Sequence, residues 1–290
     1  MPTPLSDVRG YGKPAEDVVW YSAPDLFDNI TVLLDMSAHL PKASELADRV
    51  AQIGLADVID EFALRRIAAD ARKLMSTDAA NAHAVLGRVA ALQWDVDGLQ
   101  RHHRSAISLG DPALSRWDYS TSLFLVGEVG ESYEIVHDAW QEAPDNLSLL
   151  DHLIASAVHA ARFGEAQEFC SRRRKLAPKR DLPLGSVVGD LAQAVRQGEF
   201  SEEGAREALR TADSLRSDAR IRPNGAIVVP SRDEPGSFLF EYRLITSPTD
   251  AGNLNEALAL RWAESPKAMA DPGLKFLPMF IGTVVNGSYT

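Results

Sequence analysis

The sequence predicts a mostly helical fold, built of stacked helix pairs and closed at its C-terminal end by a small ββαβ layer. Two observations carry the prediction. Between about Ala80 and Lys179, Pro144 and Pro178 lie 34 positions apart, as do Ser132 and Ala166, while Ala106 and Ala139 lie 33 apart. A period of that length marks stacked helix pairs. Each pair buries its apolar face against its neighbour, so the array makes a continuous core and an extended concave surface where function is expected. After Asp218 the helical period gives way to alternation. There Phe238, Phe240, Tyr242 and Leu244 fall on one face of a strand and Leu239, Glu241, Arg243 and Ile245 on the other.

Composition bounds the rest. The chain has 290 residues, 45% hydrophobic and 24% charged, which is ordinary globular usage and enough for a sizeable core. Thirty basic against 41 acidic residues give a formal charge of −11, which repels nucleic-acid phosphates and anionic lipid. Nucleic acid is therefore an unlikely partner. The single cysteine, Cys170, allows no intramolecular disulfide and suits a small buried apolar position in a reducing compartment. Residues Met1 to Gly12 lack an apolar export core, and no window approaches the ~18 apolar residues that span a bilayer, so the expected location is cytoplasmic and no membrane is expected.

The elements follow in order. Residues 1–24 read as an arm, broken by six prolines and glycines, that docks by Trp20 and Tyr21 onto the first helices. A helix is expected from Asp25 to about His39, stopped by Pro41, then helices over Lys42–Gln52 and Leu55–Met75, the last with Leu55, Val58, Ile59, Phe62 and Ile67 on its apolar stripe. The repeat proper begins near Ala80. His83, Leu86, Gly87 and Ala90 lie on one helix, and Leu99, His103 and Ala106 on the next, across a turn around Trp94 to Gly98. The second unit has Leu123, Gly127, Ser132, Val136, Ala139 and Pro144; the third has Leu150, Leu153, Ala157, Ala166, Cys170, Leu176 and Pro178. A further hairpin is expected from Leu184–Arg196 and Ser201–Leu215, with Ser201 as the cap of its second helix.

The stretch from Ala80 to Lys179 resembles the tetratricopeptide repeat family. Leu86-Gly87 and Ala106 match the positions at which that family admits close helix approach, although Tyr119-Ser120 and Leu153-Ile154 replace the Leu-Gly pair in later units and Arg173 stands where Ala139 stood. The resemblance implies a right-handed α-solenoid over residues 25–218 whose first helices line the concave side. Carried over by register, that side holds Asn81, Arg88, Trp117, Thr121, Phe124, Asp151 and His159, with Trp117 and Phe124 as anchors for a partner protein or peptide. Specificity for a chain-end carboxylate is not implied, because only Arg88 and Asn81 could serve it and Asp151 would oppose it.

The C-terminal unit, residues 219–290, reads as strands over Gly225–Val229 and Phe238–Ile245, a helix from Ser247, and a last apolar run over Leu277–Val285. It is expected to pack on the last helical hairpin, since the junction has no Gly/Ser run and so small a layer has little core of its own.

Chemistry is sparse. Adjacent His102 and His103 point about 100° apart on a helix and cannot chelate one metal together. Asp95-Val96-Asp97-Gly98 lacks the later oxygen ligands of a calcium loop. There is no phosphate loop, nucleophile elbow, His-Glu-x-x-His or CxxC, so no metal, cofactor or catalytic set is assigned. One dense basic cluster, Arg172, Arg173, Arg174, Lys175, Lys179 and Arg180, reads either as favourable charge at a helix end or as a dock for an acidic or phosphate-bearing partner. The expected function is a protein-interaction or regulatory scaffold. Two alternatives stay open: an enzyme or nucleotide-binding protein with its site between solenoid and C-terminal layer, and a self-assembling subunit that pairs through a solenoid end or sheet edge.

Overall fold

The computed structural model describes residues 21–22, 41–180, 182, 184–231, 234, 236–265 and 275–283. The described residues are mostly helical, with a small sheet near the C-terminus. Among the described residues, ten helices follow a two-residue strand at Tyr21–Ser22: α1 (Pro41–Leu55), α2 (Glu61–Leu74), α3 (Ala79–Leu92), α4 (Val96–Leu109), α5 (Pro112–Leu125), α6 (Val129–Glu142), α7 (Leu147–His159), α8 (Phe163–Leu176), α9 (Gly185–Arg196) and α10 (Glu202–Asp218). The expected helix over residues 25–39 lies outside the described residues.

Local chemistry sets the helix starts. The side chains of Asp60, Asp78, Asp95, Asp111, Asn146 and Ser201 each accept a bond from a first-turn backbone N–H, and Pro112 opens α5 where its missing N–H costs nothing. The sequence places one helix over 55–75, whereas α2 starts only at Glu61. Asp60 accepts from Ala63 N at 2.9 Å and so fixes the start there. Val58 and Phe62, expected on the apolar stripe, are instead 80% and 65% exposed.

Consecutive helices pack in chain order, and small residues set their spacing. Ala106, Ala139, Ala157 and Ala166 are fully buried. At Gly87 an added Cβ would lie 2.5 Å from Nε2 of His103 on the neighbouring helix, so α3 and α4 meet there without room for a side chain.

The sheet holds β1 (Tyr21–Ser22), β2 (Pro223–Pro230), β3 (Phe238–Leu244) and β4 (Phe276–Gly282) in that order. The β2–β3 hairpin is antiparallel, while β3 and β4 are parallel, with Phe238 opposite Phe276 and Leu244 opposite Gly282. Parallel neighbours need a crossover, and α11 (Pro248–Ala263), capped by Ser247, makes it. At its described end the arm joins the sheet, where Tyr21 and Ser22 pair with Ala226 and Gly225 of β2. Trp20 lies outside the described residues.

Among the described residues β4 is the last strand of the sheet, and its outer edge is blunted. The Asn255 amide donates to Phe280 O and accepts from Phe280 N, both at 2.8 Å, and Pro278 faces the same edge two residues away. Both devices oppose strand addition.

One hydrophobic cluster runs from Trp117 through α6 to α10 into Phe240, Tyr242, Phe276 and Phe280 of the sheet. The C-terminal layer thus shares its core with the array. No helix among the described residues is long and apolar enough to cross a membrane.

Candidate functional site

The seven residues assigned to the concave surface do not form one open strip. Asn81 is held at the start of α3, donating to the Asp78 carboxylate at 2.9 Å. The Arg88 guanidinium grips Asp118, Nε to both carboxylate oxygens at 3.0 Å, beside a cavity of about 30 Å³ that Thr121 also lines. Such a volume suits a single water molecule. Trp117 is 3% exposed and stacks on His152 with ring centroids 4.9 Å apart. Phe124 packs on His159 at 4.8 Å, and His159 meets Phe240 of β3 at 5.1 Å. Asp151 accepts from Arg173 Nε at 2.8 Å. The structure therefore brings Arg88 and Thr121 to one cavity and Phe124 to His159, while Asn81 is bonded to Asp78 and Asp151 to Arg173.

Three buried histidines line this interior. Burial pushes His103 and His152 down to about 4 and His159 to about 3, with the His152 and Arg216 charges adding to the last, so all three are neutral near pH 7. His103 Nε2 lies 2.9 Å from Ser122 Oγ, and His152 Nε2 lies 2.8 Å from Ser120 Oγ. A serine beside an imidazole is the beginning of a nucleophilic site. Here the Ser120 hydroxyl donates to Trp117 O at 2.9 Å, and Ser120 is fully buried, so it meets neither substrate nor water.

Three arginines left unassigned by sequence reasoning close this face. α10 crosses the C-terminal ends of the first helices, and its side chains donate to the carbonyls there. Arg206 donates to Ala160 O at 3.3 Å, Arg216 to Leu125 O at 2.7 Å and Phe124 O at 3.1 Å, and Ser217 to Val126 O at 2.9 Å. Arg222, just ahead of β2, donates to Gly54 O and, at 2.8 Å, to Ala56 O at the end of α1. Helix-end carbonyls and the negative end of the helix dipole both favour a cation in these places. One signal was available. Arg216 stands four residues after buried Ala212 on the apolar stripe of α10, where an unpaired charge could not be tolerated.

The basic cluster divides. Arg173 is 3% exposed, paired with Asp151, and also donates to Arg180 O at 3.3 Å, so it belongs to the interior. Arg174 reaches Gly185 O at 3.5 Å. Arg172, Lys175, Lys179 and Arg180 are exposed. On α8, Arg172 and Lys175 join Glu168, Ser171 and Leu176 around an open concavity of about 490 Å³. The Arg172 guanidinium sits 5.0 Å from the Trp140 ring of α6. Cationic and apolar groups are thus accessible together on the second helices rather than on the first. Compared with protein-family models, with curated proteins and with solved structures, the chain matches none.

Proposed function

We propose that this chain is a protein-interaction module, a scaffold or regulator of tetratricopeptide-like type whose helix pairs wind as a right-handed superhelix, and that a partner protein or peptide docks on the outer face of α6 and α8. The observation that carries the reading is the open surface of Arg172, Lys175 and Leu176, the last 41% exposed. The first-helix face supports the same reading from the other side. Its Trp117 is under the chain's own core, and His159 is covered by Phe240. A partner on that face would have to displace a shared hydrophobic cluster, whereas one on α8 displaces solvent.

The test is affinity capture from the native cell with the full chain, beside a Ser171→Trp variant that fills the concavity. Identified partners that are enriched by the wild type and lost with the variant are the expected result. Partners retained by the variant would move the binding surface elsewhere.

A further inference from the structure

The outer face of α8 carries more than a net charge, because its cations are arranged to read a particular kind of chain. Arg172 is held at two points, with one weak neighbour beside them. Its guanidinium lies over Trp140, one nitrogen reaches Pro144 O at 3.4 Å, and Asp145 stands 3.7 Å away. Trp140 is itself fixed, donating from Nε1 to Pro144 O at 3.2 Å and meeting Phe169 edge-on at 5.3 Å, with Phe169 rooted in the core. A guanidinium over an anchored indole loses little further freedom when it binds, and the Arg172 side chain, 44% exposed, is reachable there. Asp145 is no competitor for it, since its side chain is 82% exposed and a pair of that kind is weak and screened.

The neighbours complete the pattern. Lys175 stands three residues from Arg172 and Leu176 four, so a second cation and an exposed apolar side chain share its helix face. Lys179 and Arg180 extend the charge beyond the helix end. Glu168, one turn before Arg172 on the same helix face, lines the concavity too. A polyanion such as RNA or an anionic bilayer would lay negative charge along the whole face and meet Glu168 and the chain's net −11. A peptide carries only the carboxylates that face Arg172 and Lys175, so it meets less of that repulsion, and its apolar side chain covers Leu176, which RNA cannot do.

Resting on the reading of the chain as an interaction module, we propose that its partner presents an acidic amphipathic segment, with carboxylates bound by Arg172 and Lys175 and an apolar side chain set on Leu176. Acidic and apolar residues four apart on a helix match this spacing.

The experiment uses the full chain and a fluorescein-labelled helical peptide bearing Glu and Leu four residues apart, read by fluorescence anisotropy. Saturable binding that weakens with salt is expected. It should weaken about tenfold or more in the double variant Arg172→Glu/Lys175→Glu, as loss of close charge pairs does, and less in Leu176→Ser. Arg172→Gln, which only removes charge, guards against misfolding of the reversed variant, and a melting curve unchanged from wild type certifies each protein. No saturable binding, or binding equal in the charge-reversed variant, overturns the proposal. So does tighter binding of an RNA oligonucleotide or phosphatidylserine vesicles through the same residues. Partner capture that depends on Ser171 while the peptide fails to bind would leave the module reading standing and remove the acidic chemistry alone.

Discussion

Arg216 is fully buried against the Asp213 carboxylate, 2.9 Å away, and this pair fastens the C-terminal layer to the array. Asp213 also accepts from the Tyr242 hydroxyl of β3 at 2.9 Å, while Arg216 Nη1 and Nη2 donate to the carbonyls that end α5. Burial pushes the Asp213 carboxyl upward, and the Arg216 charge and both hydrogen bonds pull against it. Arg216→Met leaves that carboxylate without its cation and should cost about 3–5 kcal/mol. Adding Asp213→Leu removes the stranded charge and should restore part of the loss. Urea unfolding of the two variants checks this; a single variant as stable as wild type would deny the pair its fastening role.

Acid should loosen the same interior. Above pH ~6.5 imidazoles are neutral in folded and unfolded chain alike. Below it the unfolded chain takes up protons that buried His103, His152 and His159 refuse until about pH 4, 4 and 3. Each therefore removes about 1.4 kcal/mol of stability per pH unit as pH falls through that window. Asp213, with its raised carboxyl, acts in the opposite sense. His159→Leu should flatten the fall by one histidine's share, read as unfolding free energy between pH 6.5 and 4.5. An unchanged slope would show that His159 is not sealed.

Gly87 and Gly189 should respond in opposite directions to alanine. At Gly87 the new methyl meets the His103 ring, which is fully buried, stacked on Tyr119 and bonded to Ser122, and overpacking of this kind costs about 1–3 kcal/mol. At Gly189, within α9, no described atom lies within 4 Å of the added carbon, so the gain in helix propensity of about 0.5–1 kcal/mol should appear as stabilisation. Melting temperatures of the two variants decide it.

Trp117→Ala should cost the ~3–5 kcal/mol of a buried aromatic, and Trp117→Phe much less. Partner binding by the folded Phe variant should equal wild type. Lost binding with the fold intact would return Trp117 to the partner surface.

What was legible in the sequence follows from how locally each feature is encoded. Ser201 caps α10 as its sequence signature requires, and the alternation of residues 238–244 becomes the half-buried strand β3. The spacing of Gly87, Ala106, Ala139 and Ala166 marks close contacts between helices adjacent in the chain. The closing arginines were not legible, because Arg216 and Arg222 act on carbonyls 91 and 168 residues away, and local periodicity carries no such information. Closure also explains why the groove assignment dispersed. Along α7 residues 149 to 159 are almost all buried, so no polar stripe distinguishes an open face from a packed one. The start of α2 turned on the Asp60 cap, which interrupts an apolar pattern that otherwise runs on through Val58 and Phe62.

Hydrogen exchange of the full chain, with and without the Glu/Leu peptide, separates the two faces most directly. Binding on the outer face should slow exchange in residues 168–180 and leave α3 and α5 unchanged, since Trp117 and Asp118 stay under the closing layer. Slowed exchange along α3 and α5, with α8 unaffected, would contradict it, because the peptide would then have entered the face that Arg216 and Arg222 hold shut.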